Sequence, residues 1–225
     1  MASTASAPIR VVVVDDEALV RSGFSYILDA APDIEVVATA DGVEAMDVLE
    51  DARPDVVLLD IRMPGRDGLE VLREIRARGW AMTVAILTTF DSDDHIAAAL
   101  EAGAAGFLVK DTDPRQLPQL VRTLHGGGVV FSPTVSRAVV AGYLRPEPGA
   151  DERLVAELTE REKEILVHLG RGLSNIQIGS AMFLSPATVK AHISSILGKL
   201  GVDGRVSAAL VAERAGLLRD AGGAR

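Results

Sequence analysis

A short apolar run that stops at a single carboxylate, Val56-Val57-Leu58-Leu59-Asp60, constrains this chain most. Ile61-Arg62-Met63-Pro64-Gly65-Arg66-Asp67-Gly68 follows, a Pro- and Gly-rich turn that leads into a helix start. An apolar run bounded this way reads as a strand buried on both faces. In open α/β sheets, ligands bind outside the carboxyl ends of such strands. Asp60 therefore stands on a rigid support where chemistry is expected, although a lone strand-end Asp also serves as a turn cap.

The same form recurs before and after it. Ile9 to Val14 is an apolar strand that ends at Asp15-Asp16-Glu17. A helix follows with Leu19, Val20, Phe24, Ile27 and Leu28 on one face. Ile34 to Thr39, Thr83 to Thr88 and Gly106 to Val109 complete a set of five strands. Asp41 with Glu44, and Asp67 with Glu70, are capping boxes that open helices. Asp93 opens a small-residue helix, and Asp113 opens a fifth, to about His125. Five strands alternating with five helices predict a parallel, doubly wound sheet of the flavodoxin-like order.

The second half differs. Gly126-Gly127-Gly128 breaks the fifth helix, a short helix is expected after Ser132-Pro133, and Arg145 to Asp151 reads as a Pro/Gly-rich linker. Beyond it the periodicity is helical throughout. Thr159 with Glu162 and Ser174 with Gln177 are capping boxes, and Ser185-Pro186 is an N-cap followed by an N1 proline. The predicted organisation is an α/β domain at 9–125, a linker at 126–153 and a small all-α domain at 154–219.

Charge follows this division. Residues 1–150 carry a net −10, whereas residues 151–225 carry ten Lys and Arg against nine Asp and Glu. The total of −9 thus belongs to the first half and does not argue against nucleic-acid binding by the second. There are no cysteines, which excludes disulfides and thiol catalysis and suits a reducing cytoplasm. No apolar stretch approaches the length of a membrane span, and Met1 to Pro8 lacks the pattern of a signal peptide.

In a parallel sheet the strand ends share one edge. That edge would collect Asp15 and Asp16, Asp60, Thr88 and Lys110. Three carboxylates repel one another unless a cation holds them, and hard oxygen ligands suit Mg²⁺. A lysine and a hydroxyl beside them suit a phosphoryl group. An aspartate can itself attack phosphorus and form an acyl phosphate. Each of these residues also has an ordinary structural reading as cap, core or strand end. His95 and His125 lack ligand-like neighbours and read as surface residues.

This constellation resembles the receiver domain of two-component response regulators over roughly Ile9 to His125. The resemblance implies that Asp60 is the phosphoacceptor and that Asp15, Asp16, Asp60 and the Arg62 backbone carbonyl hold Mg²⁺. It also implies that Thr88 and Phe107 form the switch and that Lys110 binds the phosphoryl group. Asp111 stands where many receivers carry proline, which the subfamily named below often lacks. The rival reading, a phosphatase of the haloacid-dehalogenase type, needs a second acid two positions after the nucleophile. That position is Arg62.

In the second half, Val189, Ile193, Ile196, Leu197 and Leu200 form a buried stripe. The other face offers Ala187, Thr188, Lys190, Ala191, Ser194, Ser195 and Gly198, with no acid. Small residues and one lysine suit entry into a DNA major groove. The stretch from Leu154 to Arg219 resembles the LuxR-type helix-turn-helix of NarL/FixJ regulators. It does so through Leu158-Thr159-Glu160-Arg161-Glu162, Gly172-Leu173-Ser174-Asn175, Leu184-Ser185, Thr188-Val189-Lys190, His192 and Lys199-Leu200-Gly201-Val202. That resemblance implies base contacts from Lys190, Ala191 and Ser194 and phosphate contacts near Asn175 and Thr188. Gln177 and Gly179 depart from the usual Glu and Ala, and Ser194 is shorter than the basic residue of some members. The helix from Arg205 resembles the family's dimerisation helix.

Together the resemblances imply a cytoplasmic transcription regulator rather than an enzyme. A sensor histidine kinase would phosphorylate Asp60. Thr88 would move toward the phosphoryl group, and Phe107 would turn inward. The face made by the fourth helix, fifth strand and fifth helix would then change, leading to homodimerisation, release of the DNA-binding domain, or both. An orphan regulator that binds double-stranded DNA without phosphorylation is the alternative.

Overall fold

The structure is a computed structural model that describes residues 7–88, 93–131 and 150–218. These fall into two compact units: 7–88 with 106–125, and 93–105 with 126–131 and 150–218. The short helix expected after Ser132-Pro133, and the linker up to Gly149, lie outside the described residues.

The first unit is built on five parallel strands: β1 (Ile9–Val14), β2 (Ile34–Ala40), β3 (Val56–Asp60), β4 (Thr83–Thr88) and β5 (Gly106–Val109). Their order is β2-β1-β3-β4-β5. This is the flavodoxin-like order, whose direction reverses between β1 and β3. Every residue of β3 is buried, as an interior strand covered on both faces requires. The helices of this unit are α1 (Ala18–Asp29), α2 (Ala45–Ala52), α3 (Gly68–Ala77) and α5 (Leu117–His125). α4 (Asp93–Glu101) links β4 to β5 in sequence and groups with the second unit.

Two sequence expectations need correction here. Leu19 is not on the buried face of α1, being 85% exposed, while Phe24 and Leu28 are buried. At roughly 100° per residue, nine residues put Leu19 about 180° from Leu28. α2 and α5 also start four residues later than their acidic signals. Asp41 instead closes a turn, its carboxylate accepting from the Val43 and Glu44 N–H groups at 2.9 and 3.0 Å. Asp113 does the same for the Arg115 N–H at 2.9 Å. A side chain that satisfies turn donors leaves the regular helix to begin beyond it.

The second unit continues with α6 (Ala150–Ala156), α7 (Glu160–Gly170), α8 (Asn175–Met182), α9 (Pro186–Leu200) and α10 (Arg205–Arg214). α6 starts inside the stretch read as linker. The boxes at Thr159/Glu162 and Ser174/Gln177 are both complete, and Ser185 caps α9 ahead of Pro186. Ile165, Leu166, Ile178, Val189, Ile193, Ile196 and Val211 meet in one core. No helix among the described residues is long and apolar enough to cross a membrane.

Candidate functional site: an acidic strand-end pocket and a helix-turn-helix surface

β1 and β3 deliver their last residues to the point where the sheet order reverses. Asp15 follows β1 and Asp60 ends β3. One carboxylate oxygen from each of Asp15, Asp16 and Asp60 lies within 4.8 Å of the others. Asp15 and Asp60 are buried, and Asp16 is exposed. Lys110, just past β5, places Nζ 2.8 Å from Asp15 Oδ2, 2.9 Å from Asp60 Oδ2 and 3.2 Å from Glu17 Oε1. Glu17 is the member of this cluster that the sequence reading left without a role.

Each of these two aspartates divides its contacts between its oxygens. Asp60 Oδ1 accepts from the Arg62 N–H at 3.2 Å, and Asp15 Oδ1 from the Glu17 N–H at 2.9 Å, so each closes a turn. Their Oδ2 atoms face Lys110. Arg21 donates to the carbonyls of Asp15 and Asp16 at 2.6 and 3.0 Å and holds that loop. Burial pushes the Asp15 carboxyl above the usual carboxylate range, with Asp60 adding to the effect, although Lys110 and the Glu17 N–H pull it down. Burial also opposes the charge on Lys110, but the contacts to Asp15 and Asp60 outweigh it and raise its pKa.

The loop after β3 is folded hard against the strand end. Gly68 N–H donates to the Ile61 carbonyl at 2.9 Å, and a Cβ on Gly68 would lie 2.0 Å from the Asp60 carbonyl oxygen. Only glycine fits there. Asp67 caps α3 through the Leu69 N–H at 2.7 Å. Thr88 ends β4, is buried, and its carbonyl accepts from the Lys110 N–H at 2.8 Å. Phe107 on β5 is 1% exposed. Its ring is therefore already removed from water in this conformation, as a large apolar side chain on an α/β sheet favours.

The donor set suits a hard divalent cation. Asp15 Oδ2 is buried and faces Lys110 Nζ alone, at 2.8 Å, which leaves it capacity to accept a metal beside the Asp16 and Asp60 oxygens.

On the second unit, α9 buries Val189, Ile193, Ile196 and Leu200 and exposes Thr188, Lys190, Ala191 and Ser194. Ser185 Oγ accepts from the Thr188 N–H at 3.1 Å, and the two hydroxyls share a bond of 2.8 Å. Ser194 Oγ donates back to the Lys190 carbonyl at 3.1 Å. Asn175 is half-buried: its N–H donates to the Gly126 carbonyl at 3.0 Å, and its Oδ1 accepts from Arg205 at 3.4 Å. Burial pushes the Arg205 guanidinium down to about 10, and its shorter bond goes to the Leu173 carbonyl at 2.7 Å.

The capping box at Glu162 does more than its local pattern indicates. This carboxylate is 5% exposed. It accepts from the Thr159 N–H and hydroxyl at 2.9 Å each, from Ser195 Oγ at 2.9 Å and from Lys199 Nζ at 2.6 Å. Lys199 first, and then the Thr159 N–H, hold its pKa down at about 2. Glu162 thus ties the start of α7 to the far half of α9.

Residues 11–122 match the family described as response regulator receiver domain, and residues 156–212 match bacterial regulatory proteins, luxR family. An acidic pocket on a flavodoxin-like sheet and a helix-turn-helix in one chain define a two-component response regulator. Over 207 residues the chain is 41% identical to the nitrate/nitrite response regulator protein NarP of Escherichia coli (strain K12), covering 91% of this chain and 94% of that protein. It is 37% identical over 216 residues to the transcriptional regulatory protein LnrK of Bacillus subtilis (strain 168), covering 93% and 98%. A crystal structure of the response regulator ChrA, of a heme-sensing two-component system, matches 94% of this chain and 100% of that one at 39% identity and a TM-score of 0.51. The chain belongs to the NarL/NarP-type response regulators, which are DNA-binding transcription regulators.

Proposed function

We propose that Asp60 accepts a phosphoryl group from the histidine of a sensor kinase, and that the acyl phosphate gates DNA binding by the C-terminal domain. The observation that carries this is the strand-end pocket: Asp60 with Lys110 Nζ at 2.9 Å and the Asp15 and Asp16 carboxylates beside it. An Asp60 oxygen attacks phosphorus, an aspartyl C–O–P linkage forms, and the P–N bond to the kinase imidazole breaks. Asp15, Asp16, Asp60 and the Arg62 carbonyl would hold Mg²⁺, which when bound neutralises charge on the phosphoryl oxygens. Lys110 gives up its contact with Asp60 Oδ2 for the phosphoryl group, and Thr88 donates to it through its hydroxyl. With Phe107 already buried, the response of β5 is a shift in population rather than the entry of a new ring.

The domains run 9–125, 126–153 and 154–219, and the protein works in the cytoplasm as a regulator without catalytic turnover. α9 enters the major groove, with Lys190, Ala191 and Ser194 facing bases and Asn175 and Thr188 near phosphates. Asn175 bears on the gating, because its N–H is taken by the Gly126 carbonyl in this conformation. A homodimer then reads a two-fold site. An orphan regulator, the second reading, leaves the complete pocket without a use.

The test is incubation with acetyl phosphate and Mg²⁺, read by intact mass and sedimentation, with Asp60→Asn alongside. One phosphoryl adduct, absent from the variant and accompanied by dimer, is expected. No adduct from any donor would leave the orphan regulator as the better reading.

A further inference from the structure

The turn joining α8 to α9 breaks a local rule. Phe183, the C-cap of α8, has φ 58 and ψ 41. Such left-handed backbone suits glycine or asparagine, and a bulky side chain there is an outlier. Among the described residues, only Arg53 shares a positive φ without being glycine. The backbone shape itself is required. Leu184 N–H donates to the Gly179 carbonyl at 2.9 Å, and a Cβ on Gly179 would lie 2.6 Å from the Leu184 carbonyl oxygen. Arg161 pins the same corner by donating to the Met182 carbonyl at 2.9 Å. Nothing in the fold requires the ring, which is 97% exposed. A residue that strains its backbone and packs on nothing points to a use outside the fold.

Its surroundings select the ligand. Phe183 stands two residues before Ser185, the N-cap of α9. From Ile165 to Val202 the chain has no Asp or Glu but contains Arg171, Lys190 and Lys199. Glu164, just outside, is paired with Arg161 at 2.8 Å. A polyanion meets no free carboxylate along this stretch, and the N-terminal end of α9 favours phosphate.

We propose that Phe183 is a DNA-contact residue. Its ring lies against deoxyribose and base-methyl edges beside the strand that the start of α9 approaches. It supplies apolar, sequence-tolerant contact that the short polar side chains of α9 do not. This rests on the reading of α9 as the groove helix.

The experiment uses the full chain, treated with acetyl phosphate and Mg²⁺, and a labelled mixed-sequence duplex. Phe183→Gly, Phe183→Tyr and Lys190→Ala are compared by thermal melting and by fluorescence anisotropy over a salt series. Phe183→Gly relieves the backbone strain, so it should melt above the parent while its affinity falls about fivefold. Its salt slope stays unchanged, because an apolar contact releases no counterion, whereas Lys190→Ala lowers both affinity and slope. Phe183→Tyr keeps the parent affinity. A Phe183→Gly variant that is more stable and binds equally well overturns the proposal. So does one that changes only self-association. If Lys190→Ala also binds normally, the groove-helix reading fails as well, and the two failures are told apart.

Discussion

Lys110 sits between two buried carboxylates, its own side chain 10% exposed. Replacing it with methionine leaves Asp15 and Asp60 facing each other without a counter-charge. Lys110→Met should lower unfolding stability by about 1 to 3 kcal/mol. Added Mg²⁺ should return part of that loss, because the cation takes over the neutralising role. Urea titrations with and without Mg²⁺ check both. Glu162 gives a pH signature in the other unit. Its carboxyl titrates near 2 in the folded chain, against ~4.3 when unfolded. Its contribution is therefore complete above about pH 4.3 and disappears as pH falls through about 2. Glu162→Gln should cost about 2 kcal/mol at neutral pH and flatten that part of the stability profile, as read by denaturant unfolding at several acidic pH values.

At the scale of elements, glycines separate close approach from simple tolerance. Gly198 in α9 has no heavy atom within 4 Å of an added Cβ. Gly198→Ala should raise stability by about 1 kcal/mol, visible as a higher melting temperature. Gly179→Ala should do the reverse, because its Cβ meets a backbone carbonyl that cannot swing away. Gly68→Ala pushes on the Asp60 carbonyl and should lower both stability and the rate of adduct formation with acetyl phosphate, followed by mass spectrometry. β1, β3 and β4 were legible along the chain because burial on both faces leaves an almost unbroken apolar run. The helix starts at Asp41 and Asp113 were misplaced because an Asx turn and a helix cap share one local signal.

For the whole molecule, the proposed switch predicts a change of assembly. The phosphorylated chain should sediment as a dimer and protect two half-sites about one helical turn apart, while Asp60→Asn stays at the unmodified footprint. Hydroxyl-radical footprinting and sedimentation velocity check this. The uneven charge, −10 over residues 1–150, adds an expectation. Affinity for DNA should fall only modestly with salt, because only the few basic residues of the second half meet phosphate, so the slope should be small.

The sequence by itself determined the order of strands and helices, the two-part organisation and the chemical character of the pocket. Strand burial, capping and terminal carboxylates are local patterns, read within a few residues of where they act. Only the tertiary structure decided which further groups meet. Glu17 joins Asp15 and Asp60 around Lys110, a contact that the strand-end pattern did not ask for. Glu162 meets Ser195 and Lys199 because α7 crosses α9, although a capping box alone asks only for Thr159. Phe107 is buried, Leu19 is exposed and Gly179 is confined by Leu184 for the same reason. Burial and close approach depend on what the rest of the chain places opposite a residue, and no local pattern carries that information.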